Sequence, residues 1–577
     1  MTKEFQIGLS KEELTKRTHK DYLTTKKMLE IDAPEYNGLA DGDKQALKHL
    51  VKAAYILDSV YLKQDNEKNI PFREFLKEEI RNGNEDAKNA LILFNAQKGA
   101  NAVDTESNKF SLIKDEVELK GKAIYPRDLE EEEFHNILLK MLKNGEDNTI
   151  KEILNQRSIV VRDGEKLKAI DYTEVFKEEF IKAAEELDNA AIVSTHSEFN
   201  KFLELQAVAL TENNPKADAY ADKKWAELQD TPLEFTITRE NYEDEMTGSV
   251  VENEELNNLL KERGIIATPK DFLGFRVGIV NKEGTEKLLE IKKYLPELAK
   301  AMPFADKYEQ NISADSDEVK QTMVDVDLVA VTGDVGAWRG GITLAENLPN
   351  DDKLSLTIGG GRRNVYHRQI RAVSDWDKLQ KRLDATLEKE LHEFYENEAD
   401  HWFTIGHENA HSLGPNEGTE ALGKYKSIIE ENKADMTSLA MLDRLVELGM
   451  YTEFQRKQII TTFVADNFLK AKPNLSQAHR VRSVMQSKYL LDNNAISIDE
   501  DGIIHIDYEK IIPAARRMLE EIIEVQLSKD FSVGEKFVLD NFVWTEGMEK
   551  IAQKIKEISK TLNGQVEAKL ADKLVNG

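Results

Sequence analysis

Cysteine is absent from all 577 residues. Disulfides, iron–sulfur clusters, thiolate zinc sites and cysteine nucleophiles are therefore excluded, and any metal must be held by His, Asp, Glu or backbone oxygen. Positive charge is in deficit: 79 basic side chains against 107 acidic ones leave a net charge of −28. Phosphate contacts need Lys and Arg, so this balance argues against a nucleic-acid partner. Long apolar runs are missing too. No stretch approaches the ~18 residues needed to span a bilayer, and the opening MTKEFQIGLSKEELTKR is charged and has no apolar leader core. The expectation is a soluble, cytoplasmic chain with no membrane partner.

What is present suits a globular enzyme. Hydrophobic residues make up 40% of the chain, enough for a substantial core. The length allows one large core or two lobes around a cleft. Up to about residue 220 the chain reads as mostly helical, with Lys and Glu between apolar positions three and four apart, as in KEILNQRSIVV and YTEVFKEEFIKAAEELDNAA. Near Thr231 the pattern changes. LEFTITRENY alternates with period two, and DFLGFRVGIVN, VDLVAVTGDVGAW, GGITLAENLPND and residues 354–370 read as further strands and Gly-rich turns. From Ser374 to Leu469 the chain is again helical. Residues 496–508 read as a short hairpin, the remainder as helix, and there is no internal repeat.

One pentapeptide carries chemistry: His407-Glu408-Asn409-Ala410-His411, an H-E-x-x-H. On a helix, residues four apart share a face, so both imidazoles can bind one zinc ion with Glu408 beside them as general base. Gly414-Pro415 is a helix stop soon after. A solvated helix with two histidines is the bland alternative, but a second segment counts against it. SIIEENKADMTSLAMLDRLVELG reads as an amphipathic helix ending at Gly449, and on it Glu431 and Asp435 lie four apart. A two-histidine zinc site needs a third ligand and an acceptor to orient an imidazole, and this pair supplies both. Glu430 is the other possible ligand; the partnership with Asp435 favours Glu431. The centre so read holds one Zn2+ per chain on His407, His411 and Glu431, with Asp435 and Glu430 behind them. Alone it says only zinc hydrolase.

H-E-x-x-H followed by E-E-x-x-A-D resembles dipeptidyl peptidase III, and other segments resemble that family in the same order. TRENYEDE matches an E-x-Y motif at Glu240 and Tyr242, ENLPNDDKL an N-x-P-N loop at Asn347 and Asn350, and QAHRVRSVM an A-H segment at His479; DFLGFRVGIVN and GRRNVYHRQ fall between. The likeness runs from Thr231 to Met485. It implies that Glu240, Asn347 and Asn350 grip the amine and first peptide unit of a substrate, and that Tyr242 and His479 bind the scissile carbonyl and its oxyanion. It also implies a mainly helical α+β fold in two lobes around a wide cleft. One lobe, with a β-barrel and the N-terminal helices, takes residues 1–280 plus 331–379; a helical zinc lobe takes 281–330 plus 380–577. The implied activity is release of dipeptides from the N-terminus of short peptides by a monomeric chain.

Most of that family has a six-residue H-E-x-x-G-H; the five-residue form here is like the branch found in Nudix fusions. Basic residues for a peptide C-terminus are not placed by the motifs, and neither Arg480 nor Arg482 aligns with one. GGGRR at Gly359–Arg363 is no phosphate loop and reads as a turn. His401, off the ligand face, reads as structural, and His367 has no assigned role. A zinc endo- or oligopeptidase without an amine requirement, and a peptide-binding protein with a residual metal site, are the competing readings.

Overall fold

The computed structural model describes residues 5–106, 108–212, 214–240, 244–310, 323–333, 345–348, 363–371, 375–475 and 477–576. The chain is mainly helical, and its buried apolar residues fall into two large clusters.

The first cluster is organised by helix α1 (Asp41–Asp65). Leu47, Leu50, Val51, Ala54, Leu57 and Tyr61 recur at three- and four-residue spacing along it and are all buried. Helices α2 (Lys177–Val193) and α3 (Ser197–Thr211) pack alongside. Asp43 ties the start of α1 to the end of α2, accepting from the Ser194 hydroxyl and from both the amide and the hydroxyl of Thr195. Leu57→Ala in this fully buried position is expected to cost about 2–5 kcal/mol, read as a lower denaturant midpoint; a cost below about 1 kcal/mol would mean the site collapses to fill the hole.

Several N-terminal segments depart from the helical expectation, among them a short hairpin of Asn101–Val103 with Lys109–Ser111. RSIVV does not continue a helix: β2 (Ser158–Asp163) pairs antiparallel with β3 (Lys166–Asp171), after a first strand, β1 (Leu23–Lys27). Three consecutive β-branched residues, Ile159, Val160 and Val161, followed by Asp163-Gly164, favour a hairpin, and Gly164 takes the positive φ (+64°) that the turn needs.

The central sheet has the order β4 (Leu233–Glu240), β5 (Phe272–Asn281), β6 (Met323–Gly333), β8 (Arg363–His367), β7 (Ala345–Leu348). All neighbours are antiparallel except β6 and β8. Leu233, Phe235, Phe275 and Val277 join the cluster of α1, and Thr332 donates to the Ala54 carbonyl. The opposite side carries Glu234, Thr236, Thr238 and Arg276, which are buried as well. Ion pairs stitch that polar side: Arg276 to Glu346 at 2.8 Å and Arg363 to Glu234 at 3.3 Å. Among the described residues this sheet is open, with β4 and β7 as edges, and no closed barrel forms. Helix α1 covers one face, so the apolar side chains are buried without closure.

The second cluster is mainly helical: α4 (Asn397–Ala410), α5 (Lys426–Ala440), α6 (Glu453–Asp466), α7 (Ala478–Asp492) and α8 (Tyr508–Ser528). Between α7 and α8 lies the expected hairpin, β9 (Ile496–Ile498) with β10 (Ile504–Ile506). A small patch of Leu288, Ile291, Met323, Tyr366 and Ile405 joins the sheet to α4. The chain then crosses back. Strand β11 (Asn563–Glu567) pairs in parallel with β1, and α9 (Lys569–Asn576) packs Leu570, Ala571 and Leu574 into the first cluster. No described helix is long and apolar enough to cross a membrane.

Candidate metal centre

Helices α4 and α5 meet at Gly406, where an added Cβ would lie 2.3 Å from the Ser438 hydroxyl oxygen. Glycine at this position lets the two helices touch, and Ser438 donates to the Phe403 carbonyl at 2.9 Å. The next residue on α4 is His407. The helix ends at Ala410, four residues before Gly414, but His411 keeps near-helical angles (φ −60°, ψ −27°). The i,i+4 relation survives: the two rings stand 4.8 Å apart and nearly perpendicular, with Nε2 atoms 3.2 Å from one another.

Each ring is held from behind. His407 Nδ1 lies 2.7 Å from Asp435, and His411 Nδ1 lies 2.9 Å from Glu430. Carboxylates accept, so each ring donates from Nδ1, and in its neutral form presents Nε2 as an acceptor. Two lone pairs facing each other at 3.2 Å repel unless a cation lies between them. The Glu431 carboxylate closes the group, with Oε2 3.4 Å from His407 Nε2. Donor atoms of His407, His411 and Glu431 all lie within 4.8 Å of one another, the only such group of three among the described residues. Tetrahedral zinc with N and O ligands at ~2.0–2.1 Å spaces its donors roughly 3.3 Å apart, close to the 3.2 and 3.4 Å seen here. Two neutral imidazoles, one carboxylate and no thiolate suit that ion, with a coordination position left over.

Electrostatics hold the acids ionised. Burial alone would raise the Glu430 carboxyl, but the Lys433 ammonium and the His411 ring outweigh it and bring it down to about 2. Burial also opposes ionisation of Glu431, yet His479, His407 and His411 keep it well below the usual carboxylate range. Asp435 is lowered likewise, against burial, by Arg482 and His407. Glu408 is buried beside the pair, its Oε1 3.9 Å from His407 Nε2. The Tyr366 hydroxyl is pushed up, first by burial and then by the Glu408 charge.

His407, Glu408, His411, Glu430, Glu431, Asp435 and His479 thus come together. His479 opens α7, largely exposed, with Nδ1 3.1 Å from Glu431 Oε2. Glu240 is half-buried at the end of β4 on the first cluster's sheet, opposite Phe272. Tyr242 and Asn350 lie outside the described residues; Asn347 contributes backbone to β7 and its side chain lies outside them. His401 is buried edge-on against Tyr366 at 5.4 Å, and His367 is buried in β8.

Four residues at the centre were not anticipated. Arg482 places Nη1 3.1 Å from both Glu431 and Asp435, Gln486 donates to Asp435 at 2.9 Å, Lys433 pairs with Glu430 at 2.8 Å, and Gln526 donates to Glu430 at 2.9 Å. Spacing held a signal for two: Arg482 is three residues beyond His479, and Lys433 three beyond Glu430.

No protein-family model matches the chain. Nudix hydrolase 3 of Arabidopsis thaliana is 25% identical over 547 residues, 85% of this chain; the chain spans 66% of that relative's length. Among solved structures, dipeptidyl peptidase III of Caldithrix abyssi superposes with a TM-score of 0.79 at 25% identity, covering 97% of this chain and 100% of that one. The dipeptidyl peptidase III of Corallococcus sp. strain EGB gives 0.77 at 22%, covering 97% and 98%. The chain thus shares the fold of these dipeptidyl peptidase III structures over nearly its whole length, which supports a dipeptidyl peptidase III-like family.

Proposed function

We propose that this chain is a zinc peptidase that releases dipeptides from the free N-terminus of short peptides. One observation carries the reading: two Nε2 acceptors and a carboxylate converge, with Glu408 beside them, inside a fold shared with structures of dipeptidyl peptidase III. Zinc held by His407, His411 and Glu431 would supply a Lewis acid that polarises the scissile carbonyl and acidifies a water. Glu408 takes the proton of the attacking water and hands it to the leaving amine. The Tyr242 phenol and the His479 ring donate to the oxyanion. The Glu240 carboxylate and the Asn347 and Asn350 amide oxygens accept from the substrate ammonium, which fixes the cut two residues in. Two lobes, one built on the first cluster with its sheet and the other on the zinc-bearing helices, would close on the peptide, excluding water and bringing the sheet-borne groups to the metal. The monomeric state and the cytoplasmic location belong to the same reading.

Mass spectrometry of products from a peptide mixture tests it. Successive loss of two-residue units is expected, stopped by chelator. N-acetylation removes the ammonium, and hydrogen bonds to charged groups are worth ~1.5–3 kcal/mol, so kcat/KM should fall about 10- to 100-fold. Undiminished cleavage of acetylated peptides would turn the assignment to an endo- or oligopeptidase.

A further inference from the structure

The two histidines are supported in the same way on both sides, beyond the carboxylates. Behind His407, Asp435 receives Arg482 Nη1 on Oδ1 at 3.1 Å and Gln486 Nε2 on Oδ2 at 2.9 Å. Behind His411, Glu430 receives Lys433 Nζ on Oε1 at 2.8 Å and Gln526 Nε2 on Oε2 at 2.9 Å. In each case one cation and one amide occupy the two oxygens of one carboxylate. Lys433, Gln486 and Gln526 are almost wholly inaccessible to solvent. A buried ammonium or carboxamide is costly unless paired; here Lys433 forms an ion pair with Glu430, and the amide nitrogens of Gln486 and Gln526 donate to the carboxylates that orient the rings. Helix α7 contributes from one face: His479, Arg482 and Gln486, spaced three and four apart, all address acids of α5.

Charge points the same way. Four carboxyl groups gather here, Glu408, Glu430, Glu431 and Asp435, against two cations, Lys433 and Arg482. Four minus two leaves two negative charges, the charge that one divalent ion offsets. Arg482 also reaches Glu431 Oε2 at 3.1 Å, so its guanidinium spans a ligand and the orienting acid of another ligand.

From this arrangement we propose that Arg482 with Gln486, and Lys433 with Gln526, are paired positioning residues that set the metal affinity of the centre by fixing the two carboxylates behind His407 and His411. The inference rests on the metal reading above. It assigns no contact with substrate to any of the four.

The experiment is zinc affinity of the full chain, measured by competition with a chromogenic chelator, for the parent, Arg482→Met, Gln486→Leu, Lys433→Met and Gln526→Leu. Loss of partners behind a metal-bound histidine typically weakens metal binding about 10- to 100-fold, and that range is expected for each. Arg482→Lys should recover most of the loss at its position. Arg482→Met is the safest variant, because its side chain is the most exposed of the four. Melting of the metal-free proteins is the control: a merely structural role lowers that temperature and leaves zinc affinity alone. Zinc binding within twofold of the parent in folded Arg482→Met and Gln486→Leu overturns the proposal. So does a rise in KM for Arg482→Met at unchanged zinc affinity, which would give that arginine to the substrate. A parent chain that binds no zinc overturns the metal reading as well, which separates the two failures.

Discussion

Glu408→Gln should lower kcat for peptide cleavage by about 10²- to 10⁴-fold, the range that a positioned general base contributes. Glutamine keeps the size and the burial of the side chain but cannot accept a proton. None of the three donors that converge at the centre is altered, nor are the carboxylates behind the rings. The variant should therefore bind one zinc per chain with the affinity of the parent, by metal analysis after dialysis and by chelator competition. Activity within a few-fold of the parent would remove Glu408 from the chemistry. Equal inactivity of parent and variant across a peptide library would instead favour a peptide-binding protein with a residual metal site.

His407→Ala should have the larger effect on the metal itself. It removes one donor of three and leaves Asp435 buried with Arg482 and Gln486 but no ring. Loss of affinity should exceed the roughly 10- to 100-fold that follows from disturbing an outer partner. A thermodynamic readout does not depend on turnover. A ligand at a hundred times its Kd stabilises the folded state by about 2.7 kcal/mol, so zinc at that level should raise the parent's melting temperature. At the same zinc concentration His407→Ala should show no rise. An equal zinc-induced shift in both proteins would place the binding site elsewhere.

The parts of the centre legible in the sequence are those that local geometry dictates. Spacing of four along one helix is enough to bring His407 to His411, and spacing of four along another to align Glu431 with Asp435. The joining of these two helices is a tertiary fact, signalled only by the small residue at Gly406. Periodicity misread α5. The sequence suggests one amphipathic helix running on to Gly449; the structure breaks it at Met441 (φ −92°, ψ −4°) and buries Asn432, Lys433, Asp435, Thr437 and Ser438. A pattern of apolar and polar residues cannot tell a polar face turned to water from one whose partners arrive on other helices. Arg482 was weighed only for a peptide C-terminus, and Gln486 and Gln526 drew no attention, because their meaning depends on acids 47 to 96 residues away in sequence. The strands of the sheet were legible from β-branched alternation, but not whether they close. The barrel was implied by the resemblance alone; among the described residues the sheet is open, and ion pairs from Arg276 to Glu346 and from Arg363 to Glu234 lie on its polar side.

The parallel pairing of β1 with β11 has a consequence for how the molecule is made. Residues 23–27 leave the ribosome more than 500 residues before 563–567, yet neither strand has its partner until both exist. The surface that receives Leu570, Ala571 and Leu574 stays uncovered through most of synthesis. Contacts of such long range form late, because the loop that joins them must close first. The first core to emerge is therefore the last to be completed, and a nascent chain interrupted before residue 563 presents an apolar seam for a chaperone to shield.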